Sequence, residues 1–132
     1  MTSLDLTSLR NALAQLQKGL AEADAHPENE VIRDGVIQRF EYSHELAMKF
    51  INRILETRHG DPVDQMSYND LLRTAAERGY ITNVEAWFKY RKSRNESSHT
   101  YDANVAAMVF ACAKPFLQSA TTFLSQLEGL SD

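Results

Sequence analysis

The stretch Arg94-Asn95-Glu96-Ser97-Ser98-His99-Thr100-Tyr101 holds the side chains of this chain best suited to phosphate chemistry. An arginine offers a forked, permanently charged donor set for phosphate oxygens. A histidine titrates near neutrality and can move a proton to or from a ribose hydroxyl or a leaving oxygen, with no metal needed. On a continuous helix Arg94 and His99 would point about 140° apart, at roughly 100° per residue. The segment Asn95-Glu96-Ser97-Ser98 between them is weak helix material, and a break there would bring them together. Spacing alone equally allows an Arg94 paired with a carboxylate, a His99 that caps a helix end and a half-buried Tyr101 that serves packing. Lys89, Arg91 and Lys92 precede Arg94 and make a basic run, which is either a solvated helix face or a local RNA-binding patch.

Other chemistries find less support. Glu41/His44, Glu56/His59 and Glu96/His99 have the Glu-x-x-His spacing of di-iron bundles. Such a site needs carboxylates from two further helices. The first helix offers none between Asp5 and Glu22, and the last none between Asp102 and Glu128, so no metal site is expected. The lone Cys112 removes a thiolate zinc site and an intrachain disulfide, and suits a reducing compartment. The glycines form no phosphate-cradling loop, and no cofactor is expected. Ser97 and Ser98 beside His99 lack the orienting acid and oxyanion site of a serine nucleophile.

The elements that must position these groups are helices. Leu6, Leu9, Leu13, Leu16 and Leu20 are spaced three, four, three, four, which predicts an amphipathic helix over about residues 4–23. Pro27 interrupts it, and a long second helix starts near Pro27 or Glu28 and runs to His59. Its apolar side reads Ile32, Val36, Phe40, Ala47, Ile51, Ile54 and Leu55, and Gly60-Asp61-Pro62 ends it. Ser67-Tyr68-Asn69-Asp70 resembles a capping box and starts a short helix through Arg78, stopped by Gly79. Thr82-Asn83-Val84-Glu85 has the same form and opens a helix carrying Val84, Trp87, Phe88 and Arg91. Asp102 caps a last helix with Val105, Val109, Cys112, Phe116, Ala120, Phe123 and Leu127 on its core face and a kink expected at Pro115. With no β-like alternation, the expected fold is all-α, a five-helix antiparallel up-and-down bundle forming a single domain over residues 1–132.

Composition bounds the function. The formal charge of −4 argues against a protein coated in positive charge for general nucleic-acid binding, but permits local RNA contact. No secretory signal and no membrane-length apolar run are visible, so the expected location is the cytoplasm.

Arg94, His99 and Tyr101 together resemble the Arg-x4-His-x-Tyr signature of HEPN-domain ribonucleases, including the toxins of HEPN/MNT toxin–antitoxin pairs. The block from Arg33 to Lys49 is similar to the second-helix pattern of the nucleotidyltransferase substrate-binding family, a HEPN branch. Glu85-Ala86-Trp87 leading to Arg94-Asn95 and Ser98–Asp102 is similar as well, and the likeness spans roughly residues 6 to 127. The resemblance implies a helical bundle that dimerises, with Arg94 and His99 of both copies facing a shared cleft. It implies a metal-independent endoribonuclease, neutralised by a partner minimal nucleotidyltransferase that transfers AMP to Tyr101. Asn95, Glu41 and Glu45 enter as supporting residues; the two glutamates, one turn apart, either orient Arg94 or His99, contact the partner, or form an exposed charged face. The family label equally implies an alternative, a non-catalytic substrate-binding subunit of a two-component nucleotidyltransferase.

Overall fold

A computed structural model describes residues 4–130, and within them the chain forms five α-helices and no strand. They are α1 (Thr7–Ala25), α2 (Glu30–His59), α3 (Tyr68–Glu77), α4 (Val84–Glu96) and α5 (Ala103–Glu128). A short 3-10 turn, Val63–Gln65, lies between α2 and α3, and another, Ser97–His99, lies between α4 and α5. The all-α expectation holds.

Local chemistry sets most of the boundaries. The second helix begins at Glu30 rather than at Pro27 or Glu28, because Asn29 caps it by accepting the Ile32 N–H at 3.0 Å. Gly60, at φ +67, ends it in the left-handed conformation that glycine adopts without penalty. Ser67 and Asp70 form the expected capping box, each side chain accepting the other's backbone N–H at 3.1 and 3.2 Å. The cap of α4 is Asn83 rather than Thr82; its side chain accepts from Ala86 N, and asparagine tolerates the φ of +51 found there. Asp102 caps α5 through the N–H groups of Asn104 and Val105. The last helix runs unbroken through Pro115, whose carbonyl accepts the Tyr90 hydroxyl at 3.0 Å.

The short link at 26–29 turns α2 back along α1, and α2 then touches every other helix. The stripe of α1 is plain core, with Leu9 and Leu16 fully buried and Leu20 half-buried. Phe116 of α5 is the hub: its ring lies 5.2 Å from Phe40 of α2 and 5.4 Å from Tyr90 of α4, both edge-on. Trp87 adds a third edge contact at 5.8 Å. The core face of α5 is rotated slightly from the expected one: Ala106, Ala113 and Leu124 are buried, whereas Val105 and Cys112 are half-buried. Among the described residues, no helix is long and apolar enough to cross a membrane.

Because Phe40 and Phe116 meet at zero exposure, Phe116→Ala removes the ring that joins α2, α4 and α5. Denaturant unfolding of that variant is expected to show a loss of about 3–5 kcal/mol; a loss below about 1 kcal/mol would contradict this role of Phe116 as the hub.

Candidate functional site

Helix α4 stops at Glu96, and its C-terminal turn delivers Arg94 toward α2. Ser97, buried at the first position of the 3-10 turn, donates its hydroxyl to Glu41 Oε2 at 2.6 Å or to the Arg94 carbonyl at 2.7 Å. Arg94 Nη1 donates to Ser97 Oγ at 3.1 Å and reaches Glu41 Oε2 at 3.4 Å. Nη1 is thus fixed from two sides, whereas Nε and Nη2 have no hydrogen-bond partner among the described residues. The guanidinium is half-buried and keeps the edge that a phosphate would meet in a bidentate contact.

The same turn carries His99 and Tyr101 outward. Both are exposed, Tyr101 to 87%. The Tyr101 hydroxyl lies 3.5 Å from His99 Nδ1, at the limit of a hydrogen bond, with the two rings edge-on and 6.0 Å apart. Tyr101 is therefore not the half-buried packing residue that spacing alone allowed, and the His99 side chain caps no helix; the backbone His99 carbonyl instead accepts from Asp102 N. The expected break between Arg94 and His99 is present. It does not bring their side chains into hydrogen-bond contact within one chain.

Arg94 borders an open groove of about 1000 Å³ between α2, α3 and α4, which Glu45, Asn95 and Arg91 also line. Glu41 sits behind it as the anchor of Arg94, while Glu45 is exposed at its edge. The basic run is divided. Arg91 lies over the Tyr68 ring, 3.5 Å from its centroid, and Lys92 lines an adjoining cleft; the charge of Lys89 acts on Cys112 in α5 instead.

Two groove residues, Lys49 and Arg53, were not singled out from sequence. They follow Glu41 and Glu45 at intervals of four, so a polar stripe along α2 was the available signal. His44, of the Glu41/His44 pair, is 2% exposed, and its ring lies 5.8 Å from Phe116. Its Nε2 has no hydrogen-bond partner. Burial, reinforced by the positive charges of Arg91 and Arg94, pushes its pKa down to about 4, so the imidazole is neutral at physiological pH. No cluster of three potential metal ligands occurs among the described residues.

The class is that of an all-α bundle whose anchored Arg94 precedes a 3-10 turn and, with it, a solvent-facing His99 and Tyr101. The model of the family described as nucleotidyltransferase substrate binding protein like matches residues 4–129, and the chain belongs to that family. The chain is 37% identical over 95 residues to a Haemophilus influenzae protein named probable ribonuclease HepT; the match covers 70% of this chain and 65% of that relative's length. A Haemophilus influenzae structure, described as the fold of a substrate-binding domain of a nucleotidyltransferase, is similar at a TM-score of 0.85 and 29% identity. It covers 94% of this chain and 99% of its own. A Thermus thermophilus crystal structure is similar at a TM-score of 0.77 and 26% identity, covering 90% of this chain and 98% of its own.

Because the folded pKa of His44 lies below its unfolded value of 6.5, the unfolded chain binds the proton first. The stability this histidine contributes is complete above about pH 6.5 and is lost as pH falls toward about 4. The loss is on the order of 3 kcal/mol. Melting temperatures across that window should fall steeply for the wild type and less for His44→Gln; parallel curves would contradict the assignment.

Proposed function

We propose that the chain is a HEPN-type toxin, a metal-independent endoribonuclease acting in the cytoplasm. In this reading Arg94 grips the scissile phosphate through Nε and Nη2 while Glu41 and Ser97 hold Nη1. His99 serves as general acid or base: Nδ1 faces the Tyr101 hydroxyl, and Nε2 is left for the substrate. The ribose 2′ oxygen attacks the adjacent phosphorus as its proton passes to a base. The bond to the 5′ oxygen breaks, and that oxygen takes up a proton on leaving. A second copy of the chain brings its own His99 toward Arg94, because the two side chains do not meet within one chain. Asn95 and Glu45 border the groove beside Arg94, with Arg91 as an RNA contact and Lys92 extending the positive surface. Lys89, on the side toward Cys112, takes no part in this groove.

The observation that carries this reading is the anchoring of Arg94 by Glu41 and Ser97, directly before the turn that exposes His99 and Tyr101. The Haemophilus influenzae relative named as a probable ribonuclease supports it. The family description supports a nucleotidyltransferase as partner, which in this reading is a minimal one acting as the antitoxin. Tyr101 is the acceptor in this scheme: its phenolic oxygen, exposed to 87%, attacks the α-phosphorus of ATP and releases pyrophosphate. The bulky anion left two residues from His99 then competes for Arg94 and blocks the cleft.

The alternative is a non-catalytic subunit that presents substrate to the nucleotidyltransferase. One observation favours it: the large groove is lined by Arg94 but not by His99.

Purified protein incubated with RNA in chelator is expected to give fragments that His99→Ala and Arg94→Ala each reduce at least a hundredfold. Identical fragments from wild type and His99→Ala would end the enzyme reading and leave the subunit reading. Co-expression with the partner is expected to add one or more adenylates to the intact mass, abolished in Tyr101→Phe; retention of the added mass in that variant would remove Tyr101 as the acceptor.

A further inference from the structure

The groove bordered by Arg94 carries features that cleavage at a single phosphate does not need. Lys49, Arg53, Arg91 and Arg94 line it against Glu45 and Glu56, and the balance stays positive even with Glu41 counted behind Arg94. The chain as a whole is at −4, so this is a local reversal of charge. Lys49 and Arg53 are exposed and make no ion pair among the described residues.

One wall is aromatic. Tyr68, the first residue of α3, remains 46% exposed although the Arg91 guanidinium covers its ring. This stacked pair stands between two adjoining clefts, of about 1000 and about 490 Å³, and Tyr68, Arg91 and Asn95 belong to both. Positive charge continues across it, from Arg53 and Lys49 on one side to Lys92 on the other. At the lining of the larger cleft lies His44, neutral and with an unpartnered Nε2, a buried polar atom whose desolvation nothing within the described residues offsets.

A cationic track interrupted by a stacked aromatic–guanidinium pair is the arrangement that holds single-stranded nucleic acid. Cations follow the phosphates, and any base can stack on a π-face. A duplex keeps its bases inside and cannot use such a wall. We propose that the groove between α2, α3 and α4 is a binding track for single-stranded RNA flanking the scissile phosphate, with Tyr68 and Arg91 stacking a base and Lys49 and Arg53 contacting the backbone. The identity of the polymer rests on the ribonuclease reading; the track itself rests on the charge and the stack.

The test is fluorescence anisotropy with a short labelled single-stranded RNA of mixed sequence, in chelator, in a His99→Ala background so that cleavage cannot contribute. Tyr68→Ala is expected to weaken binding about tenfold, and Tyr68→Phe, which keeps the ring, to restore it. Lys49→Ala with Arg53→Ala is expected to flatten the dependence of log K on log salt by about 0.7 for each cation removed. Equal affinity for the RNA and for a duplex of the same sequence, with both sets of variants at the parent value, would overturn the proposal, as would a parent protein that does not bind the RNA. Both sites of substitution are exposed, so an unchanged melting temperature is the accompanying control.

Cleavage is scored separately with His99 present. Fragments without any effect of the groove variants on binding would sink the track and spare the ribonuclease. Binding losses without fragments would spare the track and sink the ribonuclease.

Discussion

The bond between Ser97 and Glu41, 2.6 Å long, joins two parts of the chain that are far apart in sequence: the middle of α2 and the turn after α4. The placement of Arg94 depends on it. Ser97 also accepts from Arg94 Nη1, so a single hydroxyl couples the carboxylate to the guanidinium, and the arginine is held without using its outer edge. A long, flexible arginine side chain loses much rotamer freedom when ordered. Here that cost is met within the folded chain, before any phosphate arrives, which is the sense in which the site is preorganised.

The anchor in turn depends on what lies under α4. Trp87 and Tyr90 pack edge-on against Phe116 and fix the rotation of α4, and that rotation points Arg94 at α2, Arg91 at Tyr68 of α3 and Lys89 toward α5. His44 fills the space between the aromatic hub and the two arginines. Its neutral state follows from the position: a protonated imidazole there would be buried and would face two like charges. The core thus extends under the polar groove through a residue that is aromatic on one side and polar on the other.

Helix propensity and capping explain why the working side chains sit on a turn. The run from Asn95 to Ser98 sustains an α-helix poorly, and Asp102 imposes a new helix start by capping Asn104 and Val105. The residues between have only a 3-10 turn available, and a turn at the surface exposes His99 and Tyr101.

The sequence by itself determined the five helices, the capping box at Ser67, the glycine stops and the motif residues, because periodicity and caps are local properties of the chain. It also contained the break between Arg94 and His99, legible in weak helix formers. It did not show that Asn29 would set the start of α2, or that Asn83 rather than Thr82 would cap α4; both were decided by which side chain reaches a free N–H. Only the tertiary structure decided that Glu41 holds Arg94, that His44 is buried and neutral, that the basic run splits between two faces, and that Tyr68 stacks with Arg91. Each of these depends on how one helix is rotated against another, and that rotation is set by the fit of Phe40, Trp87, Tyr90 and Phe116 in the core, which no spacing along a single segment encodes.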